Sequence, residues 1–283
     1  MIAILGGLGA ALSWAITALV ATRSSRLIGS SSTLAWVMLT GLVVVGPFAL
    51  AEGRPDALHG DALVWLGLAG AGNIVGLLFV YTGLRLGKVG VVSPISSAEG
   101  AVAALIAVAA GEHLGVGTAV ALGIIAAGVV MSARPPEQHL DEPGHDPRAA
   151  LLGIAAAVAF GVGLYATGRA SLALPIAWAV LPPRLLGVLF VTIPLAALGR
   201  LRLTREAAPY VVVGGLAEVT GFVSYALGAR HGIAIAAVLA SQFAALAAIG
   251  GALFFHERLR KTNIAGVIVI AAGVAAVSAL RAT

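Results

Sequence analysis

Apolar residues run through this chain in blocks of about 20, and most charged positions fall in the gaps between them. Ten blocks are present, near residues 2–22, 32–51, 62–84, 90–110, 115–133, 149–168, 174–198, 208–228, 232–254 and 263–280. Coiled as a helix at ~1.5 Å per residue, such a block covers a hydrocarbon core of ~30 Å. In lipid every backbone N–H and C=O must be paired within the protein, which leaves only helices or closed barrels. Barrel strands alternate apolar and polar residues, and these blocks do not. The pattern predicts an all-α membrane protein of ten transmembrane helices. The first block has no basic leader and exceeds the apolar stretch of a signal peptide, so it is expected to be a span.

One extended polar stretch, "RPPEQHLDEPGHDPR" from Arg134 to Arg148, interrupts this regularity and reads as a linker. It divides the chain into residues 1–133 and 149–283, with five blocks in each. The halves repeat each other at an offset of 145: Ile-Ala-Ala-Gly-Val occurs at 125–129 and again at 270–274. The same offset superposes Glu112 on Glu257, Gly76 on Gly221, Asn73 on Glu218 and Ala21-Thr22 on Ala166-Thr167, and a one-residue slip brings Tyr81 onto Tyr225. An odd number of crossings per half makes the second copy insert upside down relative to the first. The chain is therefore expected to be two inverted five-helix repeats.

Composition fits lipid: 60% of residues are apolar, 10% are charged and the mean hydropathy is +1.03. The net charge of +5 does not indicate nucleic acid, because 16 of the 17 basic residues, all but Arg184, sit at block ends or in the linker without an interleaved aromatic surface. Their distribution sets orientation instead. Arg23, Arg26, Arg85, Lys88, Arg134, Arg148, Arg200, Arg202, Arg205, Arg258, Arg260 and Lys261 follow odd-numbered blocks, whereas Arg54, Arg169, Arg230 and Arg281 lie on the opposite side. The positive-inside rule makes the first group cytoplasmic and puts both termini outside. The absence of cysteine excludes disulfides and thiolate metal sites.

Each half closes with Glu-x-Leu and, sixteen residues after the glutamate, the glycine of Ala-Gly-Val: Glu112-His113-Leu114 with Ala127-Gly128-Val129, and Glu257-Arg258-Leu259 with Ala272-Gly273-Val274. Two tandem units of this kind resemble the EamA family of the drug/metabolite transporter superfamily over essentially the whole chain. The resemblance implies export or exchange of a small metabolite, amino acid or drug. There are two departures. His256 stands where the family usually has glycine, and the charge pattern puts the termini outside where the family commonly has them in the cytoplasm.

A transporter built from inverted halves holds its substrate near the bilayer midplane between them. An ionisable side chain at the centre of a membrane helix costs ~2.5–3.5 kcal/mol on insertion scales, so it marks function. Glu99 in block four, Arg184 in block seven and Glu218 in block eight lie near the centres of their blocks, with Asn73 and Gln242 as further polar positions. Tyr225 follows Glu218 by seven residues and shares its helical face, while Tyr81, eight after Asn73, aligns less well. A carboxyl there can carry a proton or exchange it for a cationic substrate, and Glu218 is the first candidate. Arg184 can neutralise a glutamate, clamp a substrate carboxylate or phosphate, or form a purely structural ion pair with Glu99 or Glu218. Pro94, Pro182 and Pro183 free backbone carbonyls at that depth.

Glu112 and Glu257, at block ends, are expected to cap or fix loops, and Trp14, Trp36, Trp65 and Trp178 to pack or anchor at the interface. The abundant glycines let helices approach closely. No Gly-x-x-x-x-Gly-Lys-Ser/Thr loop is present, and "HERLR" lacks the second histidine of a zinc protease, so neither nucleotide hydrolysis nor enzyme chemistry is expected, nor a metal or other cofactor. The expected partners are a small-molecule substrate, protons and the lipid bilayer, with oligomeric state left open. The readings for test are a proton-coupled exporter, a uniporter or exchanger without proton coupling, and a non-transporting scaffold or receptor. Arginine preferred over lysine, with abundant alanine, glycine and valine, is the usage of a GC-rich bacterial genome and points to its cytoplasmic membrane.

Overall fold

The computed structural model describes residues 1–86, 92, 95–132, 147–255 and 261–282. Among them all regular structure is helical: α1 (Ile2–Ile28), α2 (Ser30–Ala51), α3 (Asp61–Leu86), α4 (Glu99–Ala109), α5 (Val116–Ser132), α6 (Pro147–Ala173), α7 (Ile176–Gly187), α8 (Ile193–Ala197), α9 (Ala208–Ala229), α10 (Ile233–Ala240), α11 (Phe243–Phe255) and α12 (Lys261–Ala282). Seven stretches are long and apolar enough to cross a membrane: α1, α2, the Asp61–Val80 part of α3, α6 from Arg148, Ile176–Ala197, α9 and Ile233–Phe254. Glu99–Ala109, Val116–Met131 and Lys261–Val277 are apolar but shorter, and they occupy the three remaining predicted blocks. Outward faces carry large apolar side chains such as Leu50, Leu105, Leu151 and Phe254, as a lipid-facing surface requires. Every residue of α10 is buried, which fits a segment apolar on all sides.

Three predicted blocks are interrupted. Between α7 and α8 the chain makes one π turn, Val188–Thr192, in which the Ile193 N–H bonds to Val188 O. Pro182, Pro183 and Pro194 lie in this stretch, and none has an N–H to donate to a regular helical ladder. Between α10 and α11 the helix breaks at Ser241 and Gln242, where the Ser241 hydroxyl donates to Val238 O at 2.9 Å and competes with the backbone. In block four the turn at Ser97 and Ala98 makes Glu99 the first residue of α4, where the apolar pattern put it at mid-helix. At the offset of 145, Ser97 corresponds to Gln242, so two of these breaks fall in register. Pro94, the Glu257 motif and most of the 134–148 linker lie outside the described residues.

The most extensive helix contacts are those of α3 with α6 and α1 with α9, followed by α5 with α12. Glycine sets their spacing. A Cβ on Gly6 would lie 2.5 Å from Gly228 Cα, and one on Gly72 would lie 2.8 Å from Gly163 Cα, so both crossings bring main chains together. The α5–α12 contact is reciprocal: Ile270 Cγ1 occupies the space above Gly128, 2.9 Å from where a Cβ would sit, and Ile125 does the same at Gly273. The repeated Ile-Ala-Ala-Gly-Val is thus a knob and a hole on each helix, each filled by the other copy.

Candidate functional site

A cavity of about 230 Å³ opens where α1, α3, α4, α6, α9 and α11 meet. Its walls are Trp14, Thr17, Ala18, Ala69, Asn73, Leu77, Glu99, Phe160, Gly163, Leu164, Glu218, Phe222 and Phe243. Residues 1–133 and 149–283 both contribute. At the offset of 145, Ala18 corresponds to Gly163, Asn73 to Glu218 and Leu77 to Phe222, and each of these pairs lines the same space.

Local helix geometry explains which side chains arrive there. Asn73, Leu77 and Ala69 recur at four-residue spacing on α3, and Glu218 and Phe222 do so on α9, so each helix presents one face inward. Glu99 enters because α4 begins at that residue; it is 9% exposed. Phe243 enters because α11 restarts just after the Ser241–Gln242 break. Gly76 and Gly221 make room for the aromatic walls: Phe160 lies against the first and Trp14 against the second. Trp14 also meets Phe222 edge-on at 5.0 Å and Phe243 at 6.1 Å, closing one aromatic side.

Of the residues singled out by sequence, Asn73, Glu99 and Glu218 share this cavity. Arg184 is fully buried but stands behind the wall. Its terminal nitrogens donate to Val180 O at 3.2 Å and to the main-chain oxygen of Glu218 at 3.1 Å, and its guanidinium lies 4.2 Å from the Phe222 ring centroid. Among the described residues it forms no ion pair with Glu99 or Glu218: each terminal nitrogen donates to a main-chain oxygen, and the buried Nε has no hydrogen-bond partner. Tyr225 is buried outside the cavity, and its hydroxyl donates to Leu164 O at 2.8 Å, tying α9 to α6. Gln242 is buried at the helix break, with Nε2 unpartnered. Tyr81 belongs to α3, and its side chain lies outside the described residues.

Glu112 caps, as expected from its position. Its carboxylate accepts from the N–H groups of Ile233 at 3.0 Å and Ala234 at 3.2 Å, the unpaired donors at the start of α10. Gly232 makes the approach possible: its φ is +146, and a Cβ there would lie 3.4 Å from Glu112 Oε1. Trp36 and Trp178 anchor loops through indole N–H bonds to Arg202 O and Gly53 O. Trp14 packs in the core, as expected, and also lines the cavity. Phe160, Phe222 and Phe243 carry no sequence signal of their own, although the superposed Gly76 and Gly221 mark where a neighbouring ring must fit.

No group of three or more His, Cys, Asp or Glu able to hold a metal ion occurs among the described residues. No curated protein matches the sequence. A solved structure described as "Crystal structure of protein" shares the fold, with a TM-score of 0.77 over 98% of this chain and 97% of that one at 20% identity. Residues 1–134 match the model of the EamA-like transporter family. The first 134 residues of this multi-pass, all-helical membrane protein are thus similar to the EamA-like transporter family, which is part of the drug/metabolite transporter superfamily.

Proposed function

We propose that the protein is a secondary active transporter that exports a small molecule by alternating access and couples to protons through Glu218. The observation that carries this reading is the cavity whose polar and apolar walls come in corresponding positions from both halves. Its volume is below the ~300–1,000 Å³ of pockets for drug-sized ligands, which suits a small metabolite.

Ten spans, two inverted repeats and the 1–133 and 149–283 division belong to this reading. The helix pairs support it: shifting each span by five turns the α1–α9 pair into the α6–α3 pair, and the α5–α12 pair into itself. Breaks in register at Ser97 and Gln242 are also what a pair of discontinuous helices at a transport site would give. Rocking of one half against the other would use the close main-chain approaches at Gly6–Gly228 of α1 with α9 and at Gly72–Gly163 of α3 with α6. Asn73 and Glu218 occupy corresponding positions with different chemistry, a neutral amide in the first half and a carboxyl in the second, while the first half brings its own carboxyl at Glu99. The predominance of basic residues after odd-numbered spans supports insertion in a bacterial cytoplasmic membrane with both termini outside.

The test is proton movement in proteoliposomes under an imposed pH gradient, with wild type and Glu218→Gln challenged by pooled metabolites, amino acids and cationic drugs. Substrate-evoked proton flux that disappears in the variant is the expected result. Substrate flux without proton movement, unchanged by the substitution, would instead establish a uniporter or exchanger. No flux of any substrate would leave a membrane scaffold or receptor.

A further inference from the structure

We propose that the cavity recognises a small organic ammonium ion bearing an apolar or aromatic arm, in preference to a zwitterion or an anion. This assignment rests on the transport reading of the same cavity and names its substrate class.

The unengaged polar groups of the cavity are chiefly acceptors. Asn73 Oδ1 is buried without a partner. Glu99 is more than nine-tenths buried, and no hydrogen bond or ion pair engages its carboxyl among the described residues; the Glu218 carboxyl is likewise unengaged. Burying an acceptor without a donor is costly, so this set is complementary to a ligand that supplies several N–H groups at one point. A primary ammonium supplies three.

Donors and positive charge are correspondingly scarce. Among the described residues, no Lys, Arg or His lines the cavity. The Thr17 hydroxyl is directed to Ser13 O and Gly214 O. The buried Trp14 Nε1 lacks a partner, but it lies against Gly221. Arg184 keeps an unpartnered Nε, but it does not line the cavity: its terminal nitrogens are bonded to two main-chain oxygens and its guanidinium lies against the Phe222 ring. A substrate carboxylate would therefore face two carboxyls, with the one nearby guanidinium, that of Arg184, outside the cavity lining.

The remaining wall suits an apolar arm. The rings of Trp14, Phe160, Phe222 and Phe243 surround the space, and aromatic faces attract cations as well as hydrocarbon. Arg184 already occupies one face of Phe222, so a second cation gains little at that ring. The ammonium end is accordingly assigned to Glu99, Glu218 and Asn73, and the arm to the rings.

Titration calorimetry of the full chain in lipid nanodiscs tests the assignment with four probes of similar shape: 2-phenylethylammonium, 2-phenylethanol, phenylalanine and 3-phenylpropanoate. The ammonium probe is expected to bind at least ~10-fold tighter than the alcohol, and tighter than the zwitterion or the anion. Glu99→Gln and Glu218→Gln should each weaken ammonium binding ~10-fold while leaving the alcohol unchanged, which also reports that the variant is folded. Asn73→Asp, which adds a charged acceptor, should tighten it. Equal or tighter binding of phenylalanine or 3-phenylpropanoate, ammonium binding indifferent to all three substitutions, or no binding of the ammonium probe would overturn the proposal. Ammonium binding without ammonium flux in proteoliposomes would keep this site and remove the transport reading. Flux of a zwitterion or anion without ammonium binding would do the reverse.

Discussion

Arg184 holds Glu218 by its main chain, donating to the carbonyl oxygen at 3.1 Å, and leaves the carboxyl free to face the cavity. The guanidinium therefore acts as a cross-brace between α7 and α9. It spans the two helices because its planar fork reaches Val180 O and Glu218 O together while its face covers Phe222. A lysine has neither the fork nor the plane. Hydrogen bonds from a charged donor contribute ~1.5–3 kcal/mol each, so Arg184→Lys should cost about 2 kcal/mol. A lowered melting temperature in nanodiscs is the measurement, and wild-type melting would show that the brace carries no stability.

Glu112 belongs to the first half and caps a helix of the second. Glu112→Ala removes the acceptor for the Ile233 and Ala234 N–H groups and should cost ~1–2 kcal/mol, with Glu112→Gln intermediate because it keeps one acceptor oxygen. Faster amide hydrogen exchange at residues 233 and 234, ahead of any change elsewhere, is the expected signature. Uniform exchange across α10 would mean that tertiary packing alone holds this end.

The reciprocal Ile–Gly contacts can be tested by a double-mutant cycle. Gly273→Ala drives a methyl into Ile125 and should destabilise by ~1–3 kcal/mol. Ile125→Ala opens the space that the new methyl needs, so the double variant should be more stable than the two single effects predict, by ~1 kcal/mol of coupling. Strict additivity would show that the α5–α12 spacing is set elsewhere.

Tyr225→Phe separates packing from substrate contact. Its hydroxyl reaches Leu164 O rather than the cavity, so the variant should lose about 1 kcal/mol of stability and retain wild-type ligand binding. A large loss of binding with unchanged stability would move Tyr225 into the site.

The sequence alone determined the helical membrane class, because runs of some 20 apolar residues have few other ways to pair their backbones in lipid. It also pointed to Asn73, Glu99 and Glu218, since polar groups at that depth are costly to keep without a use, and to the capping role of Glu112, since its block-end position suits that task. The aromatic walls could not be read in advance. Phe160, Phe222 and Phe243 are ordinary residues in apolar blocks, and only the crossing of helices from both halves turns them inward. Arg184 and Tyr225 likewise looked like site residues by depth and helical face. Tertiary structure places both outside the cavity lining, each donating to a nearby main-chain oxygen. The same is true of the helix breaks: prolines and serines mark where a helix can yield, but the packing of the neighbouring helices decides which of them does and so brings Glu99 to the head of its helix. Depth in the membrane is a property of position along the chain, whereas the partner of a buried polar group is a property of what folds beside it.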